Sequence, residues 1–169
     1  ISACLVGSEM CIRDRRTDGE ADLRGGGTSS ARMTAPLVAV AAVVGGWLKQ
    51  HGVQVEAHLG AVGDVEAAPM SDCPPRWANE TCQQLRCRDP TAAERMAGLI
   101  DRTRRERNSI GSRVDLRVSG LPLGLGEPWF DGLEPAMARA MMAIPAARGV
   151  EFGHGFAVQT MHGLSLIHI

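Results

Sequence analysis

The sequence predicts a layered fold that mixes helices with strands, in an α/β or α+β arrangement. Three observations predict it. Apolar spacing switches along the chain between the helical and the extended period, in the order helix, strand, helix, strand, helix, strand. The composition, 44% hydrophobic and 22% charged, is that of a chain able to bury a core. Segments rich in glycine and proline separate the periodic stretches and supply the connections.

Taken in order, residues 22–30 (DLRGGGTSS) form a glycine-rich loop, because three successive glycines disfavour both helix and strand. Residues 31–52 follow as a helix rich in alanine and valine. Serines and a threonine near its start can cap it, Pro36 suits its first turn, and Gly52 stops it. Its apolar run, residues 35–48, is expected to be buried. Residues 53–65 (VQVEAHLGAVGDV) alternate at their start and read as a strand. Residues 67–90 contain four prolines and little periodicity, so a loop or variable insertion is expected there.

An amphipathic helix is predicted over 91–107. Met96, Leu99 and Ile100 form its apolar stripe, and Arg102, Arg104, Arg105 and Arg107 crowd its carboxyl end, where the helix dipole favours cations. Strict alternation over 113–119 (RVDLRVS) predicts a half-buried strand. Glycines and proline make 121–128 (LPLGLGEP) a loop. Residues 132–144 form a further helix, with Leu133, Met137, Ala140, Met141 and Ile144 on one side and Asp131 placed to cap it. Met137, Met141 and Met142 are expected to fill core space. Residues 149–159 read as a strand broken by Gly153 and Gly155. No internal repeat is visible.

Charge and cysteines narrow the function classes. A net charge of −1 gives no electrostatic case for nucleic acid or an anionic membrane. No stretch is expected to approach the roughly 20 apolar residues of a membrane span. Lys49 is the only lysine, so arginine carries the positive charge, as codon bias or bidentate anion recognition would produce. Five irregularly spaced cysteines argue against a secreted disulfide framework and favour a reducing cytoplasm. Three of them, Cys73, Cys82 and Cys87, invite a zinc reading with His51 and His58, but the gaps do not match a structural zinc pair, and no metal ligand is assigned. His51, beside Gly52, reads as a helix-end residue.

The two ends are expected to be non-native. Residues 1–15 (ISACLVGSEMCIRDR) show no periodicity and resemble translated adapter read-through, as do residues 165–169 (SLIHI). Residues 16–164 are then taken as the folded part.

The glycine-rich loop is the strongest candidate site. A loop of this kind leading into a helix amino terminus offers free N–H groups and the positive end of a dipole to a phosphate. Arg24 and Arg32 flank it and can clamp an anion. The structural alternative is a tight turn onto the helix.

Three blocks carry a family resemblance. Residues 24–44 (RGGGTSSARMTAPLVAVAAVV) are similar to the chorismate synthase signature in which Arg-Gly-Gly-Gly precedes a short serine-containing stretch, an arginine and an alanine-rich helix. Residues 108–156 resemble the family's run through Asp-Ser-Ile-Gly, Gly-Leu-Gly-Glu-Pro, Phe-Asp and Val-Glu-Phe-Gly. Cys87, Asp89 and Pro90 resemble its Cys-Pro-Asp-Pro. The resemblance covers about residues 20–163.

What the resemblance implies is an α+β chain, part of a layered β-α-β sandwich that assembles as a tetramer in the cytoplasm. It implies a lyase converting 5-enolpyruvylshikimate 3-phosphate to chorismate and phosphate with reduced FMN and no net redox change. Thr28, Ser29 and Ser30 match the trio that contacts FMN, although arginine is common at the first position. Arg24 and Arg32 are assigned to the phosphorylated, carboxylated substrate. Met33 replaces a common glutamate, and His154 falls where the family varies. Gly124, Gly126 and Pro128 match the family but take no catalytic role.

The family's two acid/base histidines lie in Gly-Glu-Ser-His-Gly and Arg-Pro-Gly-His-Ala-Asp motifs. Neither motif occurs here, so no catalytic residue is assigned and the chain alone is expected to be inactive. The alternatives are a noncatalytic phosphate- or nucleotide-binding module and an assembly domain.

Overall fold

A computed structural model describes residues 31–163. The chain divides into two compact units, Val44–Leu123 and a second made of Ile1–Val43 with Gly124–Ile169. Their boundary falls inside the first helix.

That helix, α1, spans Thr34–Gln50 and is entered through a short 3-10 turn, Ala31–Met33. The Thr34 hydroxyl donates to the Ala31 carbonyl at 2.8 Å and steadies the entry. At the far end Gly52 takes φ 81, which only glycine adopts freely, and Val53 N–H returns to the Leu48 carbonyl. The His51 ring bonds the Trp47 carbonyl at 2.9 Å and lies against the Trp47 ring, so it is a helix-end residue as expected. Burial of α1 is not observed. None of its residues is buried, and Val38, Val40 and Val43 are 59–77% exposed. The sequence is apolar on every side, so it needs cover all round, and none of the described residues supplies it. With its entry turn the helix is 20 residues long with mean hydropathy 1.5, long and apolar enough by those measures alone to cross a bilayer.

The Val44–Leu123 unit is built on a three-stranded antiparallel sheet in the order β2-β1-β3. β1 is Gln54–Val62, β2 is Val65–Glu66 and β3 is Ser112–Ser119. The predicted strand over 53–65 is therefore a hairpin. Val62 pairs with Val65 across a two-residue turn in which Gly63 has φ 58, the positive value such turns demand at their first position. β1 pairs with β3 from Gln54↔Ser119 to Val62↔Ser112, with a bulge between Leu59 and Ala61.

The connector between β2 and β3 holds two helices. α2, Glu80–Leu85, was not expected in this proline-rich stretch. The Asn79 side chain caps it, and Arg86 ends it in the left-handed conformation. Arg86 also offers its carbonyl to Leu59 N–H at 2.8 Å, covering the edge of β1. α3, Pro90–Arg105, matches the predicted amphipathic helix, with Asp89 as cap and Pro90 in its first turn. Its Ala92, Ala93 and Met96 meet Val62, Val65, Cys82 and Cys87 in the core, and Leu99 and Ile100 pack at the margin.

β3 alternates as predicted, but of its three apolar residues only Val118 is half-buried. Val114 is 63% and Leu116 42% exposed, because α3 covers the sheet only toward Leu59 and Val62. In the second unit, α4 (Leu133–Met142) keeps Leu133, Met137 and Met141 half-buried, while Ala140, Met142 and Ile144 are exposed, so Met142 fills no core. The cap of α4 is Gly132 without a side-chain bond. Asp131 instead closes the 3-10 turn Trp129–Asp131, where its carbonyl accepts Glu127 N–H. The predicted strand over 149–159 is absent. Gly153 and Gly155 take φ 58 and 52, and Gly155–Thr160 is a 3-10 helix. Positive φ at two such close positions turns the chain away from extension.

Candidate functional site

The predicted anion site falls at the amino end of α1. Arg24, Thr28, Ser29 and Ser30 lie outside the described residues. Arg32 is described. It sits exposed in the entry turn, next to a first turn of α1 that contains no acidic residue. A cation beside the positive end of a 17-residue helix, with no carboxylate in that turn to neutralise it, suits a phosphate or a substrate carboxylate. Met33 is half exposed and adds no charge there.

A second polar constellation, missed at the sequence level, lies on one face of the β1–β3 ladder. Glu56 stands opposite Arg117 and His58 opposite Asp115, as the pairing register dictates. Glu56 accepts from both Arg117 and Arg88, the latter at 3.0 Å. These two guanidiniums hold the Glu56 carboxyl below its ordinary pKa, Arg117 contributing most. Arg88 also lies over the Trp77 ring, 6.0 Å from its centre, so the network ties the connector to the sheet. The signal for it was the two-residue spacing of charges in VEAH and RVDLR, which places them on a single sheet face.

His58 is the unusual member. It is 1% exposed, and neither ring nitrogen has a hydrogen-bond partner. Its Nε2 lies 3.7 Å from Asp115 Oδ2, and Asp115 is itself held by Arg113 at 2.8 Å. Burial pushes the imidazole pKa down. Asp115 opposes that shift, and Arg88 and Arg113 reinforce it. Cys87 is also buried, and burial raises its thiol pKa, as it does for Cys73. Such thiols are poor nucleophiles. Among the described residues no group of three or more metal-ligating side chains converges.

Among the described residues, helices and a small antiparallel sheet define this chain as α+β. The sequence model for chorismate synthase matches residues 12–167. Chorismate synthase of Aeropyrum pernix is 44% identical over 150 residues, covering 86% of this chain and 38% of that protein. The Burkholderia pseudomallei enzyme of the same name is 40% identical over 146 residues, with the same coverage of 86% and 38%. Among solved structures, one described as the crystal structure of chorismate synthase superposes with a TM-score of 0.70 at 28% identity, over 81% of this chain and 44% of that one. The chain belongs to the chorismate synthase family. It spans about two fifths of the length of the curated relatives it matches (38%).

Proposed function

We infer that residues 16–164 form the part of a chorismate synthase that carries the glycine-rich loop and the sheet unit, with the family match running slightly beyond both bounds, over 12–167. The parent enzyme converts 5-enolpyruvylshikimate 3-phosphate to chorismate and phosphate in the cytoplasm, as a homotetramer using reduced FMN. The observation that supports this reading is the family match along 12–167, which includes both the loop block and the long block over 108–156.

Within that reading Thr28, Ser29 and Ser30 offer hydroxyls and backbone N–H groups to FMN. Arg24 and Arg32 bind the phosphate or carboxylates of the substrate. The overall reaction is redox-neutral, so it consumes no reducing equivalents from the FMN that these residues would hold. The chain alone does not turn over, because the sequence holds neither histidine motif and proton transfer needs a placed acid or base.

The test is a chimera in which residues 16–164 replace the matching segment of the Aeropyrum pernix relative. With reduced FMN it is expected to form chorismate, while the 169-residue chain forms none. In the chimera Arg32→Ala should raise KM for the phosphorylated substrate roughly tenfold or more, the scale of one lost charge-assisted bond. Ser29→Ala with Ser30→Ala should instead weaken FMN binding. A chimera that folds and binds FMN but releases no phosphate would overturn the assignment.

A further inference from the structure

His58 sits in a setting that a histidine serving only as filler would not need. Its ring is buried at 1% exposure on one face of the β1–β3 ladder with both nitrogens unpaired, whereas buried polar groups are nearly always satisfied. The Nε of Arg88 is likewise buried and unpaired. The carboxylate of Asp115 stops 3.7 Å short of the ring, beyond hydrogen-bond reach.

The approach of that carboxylate depends on the bulge. At Gly60 any Cβ would fall on the Asp115 carboxyl group, so glycine keeps the space that Asp115 occupies. The charged groups around the ring come from each element packed there. Asp115 and Arg113 face it from β3, Arg88 and Asp89 from the connector ahead of α3. Glu56, on its own strand, is engaged by Arg88 and Arg117.

The geometry points to His58 as a buried proton switch: proton uptake by this ring opens the β1–β3 pairing, so that the sheet loosens in mild acid. A neutral ring leaves its polar atoms unmet but adds no charge to the interior. A protonated ring puts a charge into the buried layer on that sheet face, with no partner for Nδ1 and with Asp115 within hydrogen-bond reach only if strand or side chain moves. Opening the pair exposes the ring to water, where it charges freely. The open state therefore binds one more proton than the closed state over the range between the two titrations, and acid favours opening.

The experiment is hydrogen exchange followed by mass spectrometry on the intact 169-residue chain from pH 8 to pH 5, corrected for intrinsic exchange chemistry. The ring is titrated in parallel by NMR. Opening of the peptides that cover 54–62 and 112–119 is expected to rise by up to about tenfold per pH unit as pH falls below the ordinary histidine value, one proton's worth of linkage. His58→Gln is expected to abolish that slope. Asp115→Asn removes the charge that favours the protonated ring, so the ring titration is expected to move to lower pH. An opening insensitive to pH, or a His58→Gln variant that keeps the slope, overturns the proposal. So does a ring that titrates at its ordinary value with unprotected strand amides. If His58→Gln does not fold, the wild-type ring titration and the Asp115→Asn shift decide alone.

Discussion

At the scale of single residues, Asp89 organises more backbone than any charged neighbour. Its Oδ1 accepts Thr91 and Ala92 N–H at 2.9 and 3.0 Å, capping α3, and its Oδ2 accepts Ala68 N–H at 3.0 Å. These bonds, Ala92 and Ala68 foremost, hold its pKa below the ordinary aspartate value. Asp89→Ala removes a cap worth about 1 kcal/mol and strands a part-buried N–H worth about 1–2 more. A loss of roughly 2–3 kcal/mol in urea unfolding of the Val44–Leu123 unit is therefore expected. A carboxyl whose folded pKa lies below its unfolded one stabilises fully above the unfolded value and loses that stability as pH falls through the folded value. Unfolding should thus steepen with acid below about pH 4 in the wild type and less so in Asp89→Asn, which keeps the acceptor oxygen but not the charge. The sequence reading starts this helix at residue 91 and assigns it no cap, although aspartate directly before Pro90 and an apolar stripe is a helix-start signal. The bond to Ala68 was not legible, because it joins residues 21 positions apart.

At the scale of elements, the β1–β3 pair depends on close backbone approach where it begins. Gly120 has φ 76, and a Cβ there would collide with the Gly52 carbonyl, itself at the turn that delivers the chain from α1 into β1. Gly120→Ala combines an unfavourable φ with that collision and should cost about 2–3 kcal/mol. Thermal unfolding would register it as a drop of several degrees, whereas Gly98→Ala, on α3 with open space around it, should be neutral or slightly stabilising. Where an element packs on a partner, its period was readable. The stripe of α3 lies on the core, and the alternation of β3 places Arg113, Asp115 and Arg117 together. Elements without that support were misread. Residues 149–159 have the composition of a strand, but among the described residues no neighbouring strand accepts them, and two glycines bend them into turns. α2 has only six residues, too few to show a period, so its Asn79 cap was the one local cue.

At the scale of the whole chain, a large apolar surface stays in water. α1 is uncovered along its length, Val55, Val114 and Leu116 face outward from the sheet, and Trp129, Phe130 and Phe156 are 79–87% exposed. A helix whose apolar residues are exposed on every side normally meets another surface. The sequence could place the chain in its family through ordered motif blocks, but burial depends on what covers a face, and local pattern does not carry that. Self-association is the expected consequence. The 18.0 kDa chain should sediment as species larger than a monomer at micromolar concentration and bind a hydrophobic dye. Val40→Lys with Val43→Lys puts charge on the uncovered helix while leaving the core of the Val44–Leu123 unit untouched. The double variant should therefore shift toward monomer with urea unfolding of that unit unchanged within about 0.5 kcal/mol. A wild-type chain that remains a monodisperse monomer with little dye binding would mean that these faces are covered within the chain. Association that the double variant leaves intact would move the adhesive surface from α1 to the outward face of the sheet.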